Sequence, residues 1–128
     1  MRAYASTLLA MASTVTAQTL YATHYSGNVY TLALNANETD NDPSKSLSVT
    51  SAKDTCGDMP SWLTLDAGTG VVYCSDETGN ATSPASLTAL SAANGDLEEI
   101  VKVTDVGSAV NSVVYYGEND NQFLAVAH

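Results

Sequence analysis

Apolar residues recur at alternate positions in short runs along most of this chain, and Gly, Asn, Asp, Ser or Pro closes each run. Alternation is the period of a strand, whose successive side chains point to opposite faces, and not that of a helix. The pattern therefore predicts an all-β fold. Three strands are expected at Thr19–Tyr25, Asn28–Leu34 and Leu47–Ala52, with a tight hairpin through Tyr25-Ser26-Gly27-Asn28 and an acidic surface loop over Asn35–Ser46. A second set follows at Ser61–Asp66, Val71–Ser75, Ala85–Ser91 and Leu97–Thr104, joined by turn residues at Ala67-Gly68-Thr69-Gly70 and Asn94-Gly95-Asp96. Ser112–Tyr116 and Gln122–Ala127 begin a third set.

These sets share a register. Leu-Tyr-Ala-Thr-His ending at His24, Val-Tyr-Cys-Ser-Asp ending at Asp76 and Leu-Ala-Val-Ala-His ending at His128 follow one another at intervals of 52 residues. The same interval carries Pro60 and the strand after it onto Ser112. Two segments and the turn between them keeping one spacing indicate a structural repeat. Four strands per repeat is the size of a propeller blade, so the expected architecture is a β-propeller of four-stranded antiparallel blades. A β-sandwich would use similar strands but needs connections that cross between two sheets, whereas every link here suits a meander. On this reading residues 18–55 form a blade lacking its first strand, 56–108 a complete blade, and 109–128 the first two strands of a third. Roughly two and a half blades leave terminal faces exposed, so further blades or association of copies is expected to cover them.

Composition and charge narrow the function classes. With 128 residues, 45% hydrophobic and 14% charged, the chain is globular in character. Fourteen acids against four bases exclude nucleic acid as an expected partner, since phosphate contacts need clustered Lys and Arg, and they disfavour an anionic membrane surface. The opening residues place Arg2 before an apolar run from Leu8 to Ala12 and end in Val15-Thr16-Ala17, which reads as a secretory signal over residues 1–17. No other segment is long enough to span a bilayer. The mature chain then carries Lys45, Lys53 and Lys102 but no arginine. The sequons at Asn37 and Asn80 agree with export and mark N-glycosylation sites of a secreted or cell-wall glycoprotein. In that oxidising setting Cys56 and Cys74 read as a disulfide, ahead of unpaired buried thiols and of a zinc site completed by His24 and His128.

The ordered elements from Thr19 to His128 resemble the seven-bladed lactonase propellers, the family of 6-phosphogluconolactonase and carboxy-cis,cis-muconate cyclase. Pro60–Glu77, Ser86–Ile100 and Asn121–His128 carry the resemblance, which is greatest to secreted fungal members. Trp-Asp and Gly-His signatures of another propeller class are missing. The resemblance implies a small-molecule lactone substrate, a sugar-acid lactone or carboxymuconate lactone, bound on one face of the ring. It implies hydrolysis or cycloisomerisation without a cofactor.

Topology places the ends of second strands and the starts of first strands on one rim, which gathers His24, Asp76, Glu77 and His128 with Pro60, Ser61 and Ser112. Lactone chemistry needs a proton-transfer group and a donor for the developing oxyanion, which singles out His128, Glu77 and His24 as catalytic candidates. The family's anionic substrates also call for a cation, and this rim has none apart from a protonated histidine. The chain alone is therefore expected to be inactive, its anion-binding residues belonging to other blades. A non-catalytic, acidic, secreted binding protein is the alternative. A Ser-His-Asp triad has no nucleophile elbow to support it. Trp62 is expected to pack between blades rather than to bind a ligand.

Overall fold

The computed structural model describes residues 18–35, 42, 44, 46–79 and 82–128. The signal segment, both sequon asparagines and Lys45 lie outside the described residues. Among the described residues nine strands form three sheets. The first holds β1 (Gln18–His24), β2 (Asn28–Leu34) and β3 (Leu47–Asp54) in that order. The second holds β4 (Pro60–Asp66), β5 (Val71–Asp76), β6 (Ala85–Ser91) and β7 (Glu98–Val106). The third pairs β8 (Asn111–Tyr116) with β9 (Gln122–Ala127). Every pairing is antiparallel between sequence neighbours, so the chain is a meander of successive blades. The 52-residue interval superposes β1, β5 and β9, and it superposes β4 and β8.

Local chemistry explains the strand ends. The first hairpin closes with Gly27 at φ +83°, its N–H donating to His24 O at 3.2 Å, which is the left-handed residue that ends a three-residue loop. A Cβ at Gly27 would also lie 2.9 Å from Asp54 Oδ1. The turn after β4 is fixed by Asp66, whose Oδ1 accepts from Gly68 N at 3.0 Å, and by Gly70 N donating to Asp66 O at 2.9 Å. β7 runs beyond the expected Thr104 because Asp105 is a bulge residue, left-handed at φ +60°, inserted between the pairs Ala85–Val106 and Ser86–Thr104. A short 3-10 turn at Glu118–Asp120 joins β8 to β9, with Asn119 and Asp120 both left-handed.

The core lies between the first two sheets. Val29, Cys56, Val72, Cys74, Leu90 and Leu97 are buried together, with Tyr21, Leu63 and Ala92 packed against them. Cys56, in the link before β4, is bonded to Cys74 of β5 with the Cα atoms 5.9 Å apart, an ordinary disulfide span. That bond leaves no thiolate pair for the zinc arrangement. Outside the core, Lys53 of β3 meets Asp96 of the β6–β7 turn at 3.1 Å, and Thr55 donates to the Glu99 carboxylate.

Hydroxyls bridge the seam between the second and third sheets. Thr64 Oγ1 donates to Ser112 O at 2.7 Å, Ser75 Oγ lies 3.3 Å from Ser112 Oγ, and Ser61 Oγ donates to Ala109 O at 2.9 Å. At its far end the buried Asp66 carboxylate accepts from Tyr116 Oη at 2.9 Å and from Gln122 Nε2. Trp62 departs from expectation, since it is 42% exposed rather than packed between sheets. The register break between Pro60 and Trp62 is a bulge, and bulges re-aim the side chains beside them. No helix among the described residues is long and apolar enough to cross a membrane.

Candidate functional site

The antiparallel ladders bring the expected rim together. Pro60 pairs with Asp76 and Asn111 with Ala127, so the starts of β4 and β8 stand beside the ends of β5 and β9. Glu77 N donates to Met59 O at 3.0 Å, and Ala109 N donates to Asp76 O at 3.1 Å. These two bonds hold the Glu77 segment between the link that enters β4 and the link that enters β8.

Two residues that the sequence pattern did not single out complete this edge. Tyr25, in the first hairpin, hydrogen-bonds the Glu77 carboxylate, and that bond raises the Tyr25 hydroxyl above its ordinary pKa, with some desolvation and the nearby negative charge adding to it. Ser108 donates its hydroxyl to Glu77 O, while its own carbonyl lies 3.1 Å from His128 Nδ1. A carbonyl only accepts, so Nδ1 carries the proton of this bond and Nε2 of a neutral His128 ring keeps its lone pair. Tyr25, Glu77, Ser108 and His128 thus form an arc across all three sheets.

Two of the three expected catalytic residues, Glu77 and His128, are linked through Ser108. His24 is not drawn into the arc by its own bonds: its Nδ1 accepts from Ser26 N at 3.2 Å, inside its own hairpin. Asp76 is buried and already engaged, Oδ1 accepting from Met59 N at 3.1 Å and Thr78 N at 2.9 Å, and Oδ2 from Ser86 Oγ at 3.3 Å. It fastens two links to the sheet. A Cβ at Gly57 would fall 2.1 Å from Asp76 Oδ2, so the absence of a side chain there is what lets the carboxylate in.

His128 borders a cavity of about 270 Å³ between the second and third sheets, lined also by Leu87, Val106, Gly107, Ala109 and Val126. Its wall is mainly apolar, which suits a ring carbon skeleton, while His128 itself is exposed at its mouth. Gly107 sets the fit, because a Cβ there would stand 2.8 Å from His128 Nδ1. No cation lines this cavity. Of the described lysines, Lys53 lies on the outer strand β3, whereas Lys102 of β7 departs from expectation by lining a second cavity with Gly57, Asp58 and the rim residue Asp76. Among the described residues no group of three or more His, Cys, Asp or Glu is placed to hold a metal ion.

The sequence did carry a signal for Tyr25. It stands 52 residues before Glu77, so the two partners occupy one repeat position in successive blades. Ser108 carried none, since a serine in a polar link looks like any other. Comparison with curated proteins gave no match, and comparison with solved structures gave none. A family model described as lactonase, 7-bladed beta-propeller, matches residues 14–128, and with that match and this succession of antiparallel sheets the chain belongs to the lactonase family of seven-bladed β-propellers.

Proposed function

We propose that this protein opens lactone rings by hydrolysis at the rim that holds His128 and Glu77. The observation that carries the proposal is the anchoring of His128 through Nδ1 to the Ser108 carbonyl, which presents Nε2 as a base beside an apolar cavity. In the proposed reaction Nε2 takes a proton from water as the water oxygen adds to the lactone carbonyl. The ring C–O bond breaks when the tetrahedral oxyanion collapses, and the imidazolium returns its proton to the departing alkoxide. The product is the open hydroxy acid. Glu77 and Tyr25 position this edge, Tyr25 keeping its proton because the Glu77 carboxylate holds it.

The substrate is a lactone of a sugar acid or of carboxymuconate, acted on in an exported, glycosylated protein. Carboxylate or phosphate recognition needs Arg or Lys, and none lines the His128 cavity, so we assign it to surfaces outside that cavity. Anionic lactones are then turned over poorly, if at all, by the chain alone, and neutral sugar lactones are the better probe. Initial rates with a neutral δ-lactone, corrected for spontaneous opening, test this. His128→Asn lowers the enzymatic rate by about 10²-fold or more, the usual worth of a general base. A folded sample that opens no lactone above the buffer rate refutes the enzyme and leaves the reading as a non-catalytic secreted binding protein.

A further inference from the structure

The second cavity lies on the face of the second sheet opposite the His128 cavity. Register sets that face: Cys74 pairs with Thr88, Thr88 with Lys102 and Ser86 with Thr104, so these side chains point to one side and Leu87 of the His128 cavity to the other. The link before β4 crosses this side, held by Thr88 Oγ1 donating to Thr55 O and by Ser86 Oγ donating to Cys56 O, each at 3.3 Å. Beside it opens a space of about 270 Å³ lined by Gly57, Asp58, Asp76, Ser86, Lys102 and Thr104 and bordered by residues 82–84 of the β5–β6 link. No residue of the third sheet takes part; every group comes from the second sheet and the links that flank its strands.

These groups are unlike the apolar lining beside His128. Lys102 brings a cation that forms no ion pair among the described residues, whereas Lys53 is held by Asp96. Asp58, exposed like Lys102, brings a carboxylate that takes part in no ion pair or side-chain hydrogen bond among the described residues. Oδ2 of the buried Asp76 accepts a single bond, from Ser86 Oγ at 3.3 Å, and a carboxylate oxygen has room for a second. An ammonium and two carboxylates that share a cavity without meeting suit a ligand that brings both an anion and hydroxyls. The ammonium donates to the anion, and the carboxylates accept from the hydroxyls. Two carboxylates against one lysine also repel a dianion such as phosphate.

We propose that this cavity binds a polyhydroxy monocarboxylate, an open-chain sugar acid, its carboxylate on Lys102 and its hydroxyls on Asp58, Asp76 and Thr104. The site is separate from the His128 cavity and needs no lactone chemistry. Because one charge contact orients the ligand, binding weakens as salt is added.

Titration of sodium D-gluconate into the isotope-labelled full chain, followed by amide shifts and by calorimetry, supplies the test. Saturable shifts are expected at Gly57, Asp58, Lys102 and Thr104. Sorbitol, which has the hydroxyls without the charge, and acetate, which has the charge without the hydroxyls, each bind roughly tenfold more weakly or worse, the worth of a charge-assisted hydrogen bond. Lys102→Met weakens gluconate by about the same factor, and Asp58→Asn weakens it several-fold. Lys102→Gln repeats the measurement should the methionine variant lose its strand circular dichroism. His128→Asn binds gluconate as the wild type does, which sets this site apart from the lactone-opening one. The absence of saturable shifts at these residues overturns the proposal. So do a Lys102→Met variant of undiminished affinity, sorbitol binding as well as gluconate, and inorganic phosphate or L-serine binding more tightly than gluconate. Gluconate has no ring left to open, so a failure here leaves the lactone-opening reading standing, and a chain that opens no lactone can still bind it.

Discussion

Asp66 shows how much one side chain can fix. Its carboxylate closes the β4–β5 turn through Thr69 and Gly68 and reaches the third sheet through Tyr116 and Gln122. The Thr69 hydroxyl does most to lower its pKa, from 3.8 to about 2, with Tyr116, Gly68 and Gln122 adding to the effect against desolvation. A depressed carboxylate stabilises the folded state above its unfolded pKa, and that contribution fades as pH falls through the folded value. Asp66→Asn is thus expected to melt at a lower temperature than wild type at neutral pH. The gap should stay constant down to pH 3.8 and close toward pH 2, the window set by the two pKa values. Paired melting curves across that range check it. At the rim, Gly107→Ala pushes a methyl into the His128 ring and is expected to lower lactone turnover about ten- to a hundred-fold, the scale of an ångström misplacement. A shifted His128 ring resonance with unchanged strand content would separate this from unfolding.

At the scale of the element, the strands were legible because their turns announce them. Asn28–Leu34, Ala85–Ser91 and Gln122–Ala127 begin and end where alternation and turn residues place them. The pattern failed at bulges. Asp105 breaks the alternation of β7 without ending it, and the break before Trp62 turns a large ring outward that hydrophobicity alone would bury. A bulge depends on how a strand meets its partner, which one strand's sequence does not encode. The site divides similarly. Register places Glu77 and His128 on one rim, but the bonds of Tyr25 and Ser108 arise from packing between blades. Within the second sheet, Leu90 fills the center of the core, so Leu90→Ala is expected to cost about 2–5 kcal/mol in denaturant unfolding. The Cys56–Cys74 bond closes a separation of 18 residues, and its replacement by a Ser pair should cost about 3 kcal/mol by the chain-entropy estimate. Both sulfurs are buried, so a mild reductant should leave the folded protein oxidised while a denaturant exposes it to reduction, as thiol titration would show.

Across the whole molecule, the repeat alone orders the sheets, because strands that repeat at a fixed interval must meet their neighbours in the same way. The repeat did not foretell that its two internal seams would differ in substance. The first is sealed by Val29, Val72, Leu90 and Leu97, the second by Thr64, Ser75, Ser112 and the Asp66 clamp. Apolar burial weakens on cooling, whereas hydrogen bonds carry favourable enthalpy and hold better in the cold. The protein therefore has no single weakest joint. Chilling is expected to loosen the first sheet from the second and strong acid the third, so the order in which its parts come away would be chosen by the solvent.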